Sequence, residues 1–251
     1  MLLCGHGSRD GDTIAEFELL RAGLAARLAG RPVLSSFLEF TAPDIGAGLR
    51  RLYDQGARHI HALPVMLYAA SHVKRDIPRE LDSFAREHPE VTVAFGRELA
   101  RHDKLIAACA ERIAVAERQT ARATTRGDSL LLVIGRGTKD AAANSQLGEL
   151  AHQLGATLGF GQAATGFAGA AEPSVATALR DAAERGCDRV LLFPYFLFTG
   201  VLVKRVHQAM AATAARFPRV EFIAAEHLKH HPLVIEALAE RLAEIDPAAI
   251  G

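Results

Sequence analysis

An internal repeat limits what this chain can fold into more than any other feature. The apolar run Met1-Leu2-Leu3-Cys4 leads into Gly5-His6-Gly7-Ser8-Arg9-Asp10, and 130 residues later Leu131-Leu132-Val133-Ile134 leads into Gly135-Arg136-Gly137-Thr138-Lys139-Asp140. Each segment passes from an apolar strand through a glycine-bracketed turn into a helical pattern. Such a turn lies at the carboxyl end of a parallel strand, where open α/β sheets bind ligands. The two turns share glycine spacing, a hydroxyl, a cation and a closing Asp, and differ in kind only between the glycines, His6 against Arg136. The chain therefore reads as a duplicated domain with one catalytic edge.

Periodicity extends the repeat through both halves. Apolar side chains at helical spacing run from about Thr13 to Leu28 (Ile14, Phe17, Leu20, Leu24, Leu28) until Gly30 and Pro32 stop them. Val33 to Phe40 reads as a strand with Glu39 near its end, and Pro43 opens a helix that stops at Gly56. A strand from His59 to Leu67 follows. Then comes a second strand-to-helix junction, Ser71-His72-Val73-Lys74-Arg75-Asp76-Ile77-Pro78, with Asp76 placed to cap the helix. Helix Arg79 to Glu87, strand Val91 to Phe95 and helix Asp103 to Ala116 complete four β-α units. Phe167, Pro173 and Gly186 answer Phe37, Pro43 and Gly56 in the second half.

The expected architecture is α/β, with two similar domains, each a mostly parallel four-stranded sheet flanked by helices, facing each other across a cleft. The boundaries read as 1–118 for the histidine-bearing domain, 119–129 for a Thr- and Arg-rich linker without an apolar face, and 130–251 for the degenerate repeat.

Composition excludes several classes of function. Lys and Arg number 29 against 29 Asp and Glu, so no global field points to nucleic acid. Cys4, Cys109 and Cys187 are dispersed, which argues against a disulfide framework or a thiolate metal cluster and fits a reduced cytoplasm. No apolar run approaches the ~18 residues of a membrane span, and with the first strand at the start of the sequence no leader is expected. Neither glycine motif completes the dinucleotide fingerprint, no phosphate-binding loop of the Walker type is present, and Ser8 is not centred in a nucleophile elbow.

His6 and His72 fall at carboxyl ends of strands in one sheet. Neutral imidazoles there can ligate a divalent first-row metal or accept protons near neutral pH. Glu39 reads as a third ligand or proton acceptor, or as one half of an ion pair. In the second half His6 becomes Arg136 and His72 becomes Leu202, while Lys74 and Arg75 persist as Lys204 and Arg205. His59 and His61 read as strand residues packed beside helices, and His227-Leu228-Lys229-His230-His231 as a solvated loop.

The stretches Gly5 to Asp10 and Leu63-Pro64 through Pro78, in order and duplicated, resemble the signature segments of the class II tetrapyrrole chelatases, closest to two-domain sirohydrochlorin cobaltochelatases. The resemblance covers nearly the whole chain. It implies a lyase that inserts Co²⁺ into sirohydrochlorin with release of two protons, in cobalamin synthesis. The alternatives are a sirohydrochlorin ferrochelatase serving sirohaem, or a metal or tetrapyrrole carrier without turnover.

By that resemblance His6 and His72 are the metal-binding and proton-abstracting residues. Ser8, Arg9, Lys74, Arg75, Arg136 and Lys204 become candidates for holding the substrate's carboxylates, because cations and donors suit such a rim. The metal enters as substrate, Co²⁺ before Fe²⁺ or Ni²⁺, with no permanently bound cofactor; the fused halves imply a monomer, expected in the cytoplasm. The aromatic run Phe193 to Phe198 reads mostly as buried strand, with the remainder available to floor a macrocycle.

Overall fold

The structure is a computed structural model that describes residues 1–28, 30–68, 72–100 and 102–249, apart from the side chains of His72 and Ala249. In chain order the strands and helices are β1 (Leu2–Gly5), α1 (Gly11–Arg27), β2 (Leu34–Phe37), α2 (Ile45–Asp54), β3 (His59–Pro64), α3 (Ile77–Glu87), β4 (Thr92–Phe95) and α4 (Asp103–Arg118), then β5 (Ser129–Gly135), α5 (Ala141–Leu158), β6 (Gln162–Phe167), α6 (Val175–Glu184), β7 (Arg189–Pro194), α7 (Val201–Arg216), β8 (Glu221–Ala224) and α8 (Pro232–Ala243). A single π-helical turn, His72–Asp76, precedes α3. Two four-stranded sheets result, ordered β2-β1-β3-β4 and β6-β5-β7-β8, with every pairing parallel. No described helix is long and apolar enough to cross a membrane.

The described chain divides into two compact units, residues 1–105 with 229–251, and residues 106–228. These cut the chain elsewhere than the sequence boundaries at 118 and 130. The reason lies in the last helix of each repeat, since most of α4 groups with the second unit, while α8, which closes the second repeat in sequence, buries Val234, Ala237, Leu238 and Leu242 within the first unit. Its Ile235 sits against α1 so closely that a Cβ on Gly23 would meet Ile235 Cδ1 at 2.4 Å. Arg241, 5% exposed, donates to the carbonyls of Glu98 and Leu99. Each buried Val, Leu or Ile contributes roughly 1.5 to 3 kcal/mol. Hydrophobic burial therefore decides α8's place, and ion pairs Lys104–Glu236, Arg97–Glu244 and Arg31–Asp246 fasten its ends.

Within the first unit Leu2 and Cys4 of β1 and Ile60 and Ala62 of β3 join Leu49, Leu52, Ile77, Leu81 and Phe84 of α2 and α3 in one core. In the second unit Leu130, Leu132, Val190 and Leu192 pack with Leu179, Ala182 and Val206 of α6 and α7. Both are the central, doubly covered strands that an all-parallel sheet requires.

The segment read as a linker is fastened to the second unit. Arg189, 3% exposed, donates to the carbonyls of Thr124 and Arg122 and pairs with Glu221. Arg126 forms a two-pronged pair with Glu117. Guanidinium forks thus hold a stretch that lacks an apolar face. The second strand also ends earlier than expected, at Phe37, so that Glu39 lies in the following turn.

Candidate functional site

Strand order alone locates the binding edge. In β2-β1-β3-β4 the chain leaves β1 toward one side to form β2 and crosses back to the other side to form β3. The crevice beyond the carboxyl ends of β1 and β3 is therefore the topological switch point, the expected ligand position in an open α/β sheet. His6 is the first residue after β1, and the π turn after β3 opens with His72. His72 opens the turn that leads from β3 into α3, while its side chain, like Ser71, lies outside the described residues. Single π turns recur at functional positions. Asp76 does not cap α3 as expected, because it continues the turn in the α region (φ −74°, ψ −49°) rather than the extended conformation of a cap.

The turn around His6 is built by close approach. Gly5 has no room for a side chain, since a Cβ would meet Phe17 Cε2 at 2.7 Å and Phe37 Cδ1 at 2.9 Å. Gly7 adopts φ +90°, and a Cβ there would lie 1.8 Å from the Glu39 carbonyl oxygen. The 38–41 segment can therefore lie flat on the turn. Leu38 N donates to Gly5 O (3.1 Å) and Glu39 N to His6 O (3.0 Å). The Thr41 hydroxyl accepts from Ser8 N (3.1 Å) and donates to Ser8 O (2.9 Å).

His6 is half-buried, with Nδ1 3.3 Å from Gly7 O. A carbonyl only accepts, so this contact favours the Nδ1–H tautomer, leaving Nε2 with the lone pair that a proton or metal ion would take. Glu39 is exposed and tied to His6 through the backbone. Arg9 is exposed and stacks over Phe40, with its Cζ 4.8 Å from the ring centroid. Ser8 has a structural task, as its Oγ accepts from Asp10 N at 3.0 Å, and Asp10 in turn caps α1 through Asp12 N. Lys74 and Arg75 project from the π turn into solvent.

The structure thus brings His6, Glu39, Arg9 and Ser8 together. Thr41 and Phe40 belong to the same cluster and escaped sequence reasoning. A hydroxyl just before a proline loop is a weak signal for Thr41, and nothing in the sequence marks Phe40.

The second unit repeats the scaffold with other side chains. Asn144 replaces Thr41 as the clamp, accepting from Thr138 N (3.0 Å) and donating to Thr138 O (2.9 Å), and Asp140 caps α5 through Ala142 N and Ala143 N. Arg136 follows β5 and is exposed, as is Lys204 in the first turn of α7. Arg136 thus leaves β5 and Lys204 follows β7, the two strands that bracket the switch point of this sheet.

Among the described residues no three His, Cys, Asp or Glu side chains are gathered closely enough to hold a metal ion. The side chain of His72 is not among them. The 227–231 run does not form the expected solvated loop throughout. His227 is 6% exposed and Leu228 fully buried, because Leu228 N donates to Phe196 O at 3.0 Å and draws the segment in beside β7. Burial, and then the neighbouring His227, lower the pKa of His207 on α7. His231 ends the run as the cap of α8, accepting from Leu233 N. Phe193 and Tyr195 are buried, so that part of the aromatic run is core.

The family model CbiX matches residues 1–116 and again 130–245. The sirohydrochlorin cobaltochelatase of Priestia megaterium is 29% identical over 246 residues, which cover 97% of this chain and 79% of that protein. The sirohydrochlorin ferrochelatase of Bacillus subtilis (strain 168) is 26% identical over 244 residues, covering 97% and 90%. Among solved structures, SirB from Bacillus subtilis with Fe3+ superposes with a TM-score of 0.84 at 26% identity, covering 97% of this chain and 94% of that one.

Proposed function

The chain belongs to the CbiX family, and from that premise we propose that it is a sirohydrochlorin chelatase whose physiological metal is Co²⁺, acting in cobalamin synthesis. The observation that supports the reading is one of chain order, since His6 directly follows β1 and His72 opens the turn between β3 and α3, the connections that leave the two strands bracketing the switch point of the first sheet. Metal insertion removes two protons from pyrrole nitrogens and delivers an ion between them. Groups that are basic near neutral pH and that also ligate labile ions suit both halves of the task.

His6 has the geometry for this work, since its Nδ1 contact with Gly7 O directs basicity to Nε2. His72 is its proposed partner, and Glu39 the proposed third ligand or proton acceptor. Arg9, Lys74, Arg75, Arg136 and Lys204 are the proposed cations for the substrate's carboxylates, since all are exposed and lie in strand-to-helix connections or the first turn of the following helix. Ser8 contributes to that edge by shaping the turn.

Iron is the second reading, because a relative at similar identity is named a ferrochelatase. Purified protein with sirohydrochlorin and, separately, Co²⁺, Fe²⁺ or Ni²⁺ tests both. The absorbance change should exceed the spontaneous rate over many equivalents, and His6→Ala should lower it by about 10² or more, the usual contribution of a positioned acid–base group. A change that stops at one equivalent would make the protein a carrier, and a faster rate with Fe²⁺ at equal concentration would make it a ferrochelatase.

A further inference from the structure

Phe40 is 55% exposed, which by itself means little, for Leu19 and Val201 are exposed to similar extents. Its backbone distinguishes it. Phe40 adopts φ +62°, a left-handed conformation that glycine or asparagine takes readily and a bulky side chain does not. Thr41 N donates to Glu39 O at 2.7 Å, closing a three-residue turn with Phe40 at its centre, in the rarer and more strained hand of that turn.

Both neighbours are pinned. Glu39 N bonds His6 O, the Glu39 carbonyl rests on Gly7, and the Thr41 hydroxyl grips Ser8. The surroundings therefore hold the ring out at the site's edge. Its centroid stands 6.2 Å from that of the His6 imidazole with 32° between the planes, and the Arg9 guanidinium lies over it. Strain maintained beside a candidate base, for the sake of exposing an aromatic face, is the pattern of a functional position.

We infer that Phe40 is the aromatic wall on which the conjugated face of the substrate macrocycle stacks, with Arg9 held by the same ring to meet a carboxylate at the macrocycle's rim. This rests on the reading of the site as one for sirohydrochlorin and adds a residue that sets macrocycle binding. An exposed π face and a guanidinium fork match the two chemistries of such a substrate, a flat conjugated body and an anionic edge. Because Arg9 and Phe40 are in contact, their contributions to binding should be coupled.

The test is equilibrium titration of metal-free sirohydrochlorin, followed by its absorbance, so that binding is read without insertion. Phe40→Leu should bind about five- to tenfold more weakly than wild type, the loss expected for one aromatic stack, and Phe40→Trp should bind at least as well as wild type. Phe40→Gly relaxes the backbone and keeps the fold while removing the ring, and should weaken binding at least as much as Phe40→Leu. Leu19→Ala, an equally exposed apolar change on α1, should leave binding unchanged.

Arg9→Gln should weaken binding less in the Phe40→Leu background than in wild type. In turnover, the Phe40 variants should raise KM more than they lower kcat. Wild-type binding with Phe40→Leu and Phe40→Gly equal to it would overturn the inference and leave the proposed function standing. A wild-type protein that does not bind sirohydrochlorin at all would overturn the proposed function as well.

Discussion

Gly7→Ala should damage the site through the backbone, and the structure supplies the magnitude. A Cβ at Gly7 would sit 1.8 Å from the Glu39 carbonyl oxygen, more than an ångström inside the 3.0 Å below which real contacts of this kind are essentially never found. The oxygen belongs to main chain and cannot swing aside as a side-chain tip would. Alanine at φ +90° also bears the steric cost of a left-handed residue, about 1 to 2 kcal/mol. Moving the 38–41 segment away breaks Glu39 N–H to His6 O and strains the two Ser8–Thr41 bonds, each contributing about 1 kcal/mol. The sum is about 3 to 4 kcal/mol, equivalent to a fall in Tm of roughly 10 °C in a chain of this size.

Gly11→Ala is the matched control. Nothing lies within 4 Å of a Cβ there, and the residue opens α1, so the same chemical change should be neutral or stabilise by up to about 1 kcal/mol. Thermal melts followed by far-ultraviolet circular dichroism read both variants. A Gly7→Ala protein melting within 2 °C of wild type would refute the close-packed picture of the turn.

In acid, the fastening of α8 should weaken. The Arg97 hydrogen bond, with help from Arg241, holds the Glu244 carboxyl at a pKa of about 2, so its stabilising effect is complete above the ordinary carboxylate value near 4.5 and fades as pH falls toward 2. With the side chain 36% exposed, screening reduces the effect to about 1 kcal/mol, so denaturant melts should show Glu244→Gln less stable than wild type by that amount at pH 6 and level with it near pH 2. A gap independent of pH would contradict this assignment. Arg189→Leu should release the 119–128 loop, because it leaves Glu221 and two carbonyls without their buried donor, a loss of about 3 kcal/mol. Trypsin should then cut after Arg118, Arg122 or Arg126 much faster than in wild type, and equal rates would mean the loop was slack from the start.

Much of the fold was legible because its signals are local. A strand, a glycine-bracketed turn and a helix start can be read within ten residues, and two such segments imply the duplicated parallel sheets that the structure contains. The place of α8 was not legible. Its pattern says which face is buried but not against which sheet, and Gly23 meeting Ile235 is a fact about residues more than 200 positions apart. What fastens the linker was not legible either, because Arg189 and Arg126 reach backbone carbonyls that lie far from them in sequence. Composition misled at His227, whose burial follows from one long-range bond between Leu228 and Phe196. Phe40 was missed for the opposite reason. A left-handed turn is normally announced by glycine or asparagine, and here a phenylalanine occupies it.

The two turns, finally, separate shape from chemistry. Both place a glycine-bracketed residue after the first strand of a sheet, both cap the next helix with Asp, and both clamp the hydroxyl residue's backbone, through Thr41 in one case and Asn144 in the other. Two different side chains making the same clamp indicate that the turn's shape matters in each unit. What differs is the residue it presents. The imidazole of His6 can take up and release a proton near neutral pH, whereas the guanidinium of Arg136 stays charged and only donates. The second turn can therefore hold an anion but cannot accept a pyrrole proton, so of the two turns only the first could serve proton removal in the proposed reaction.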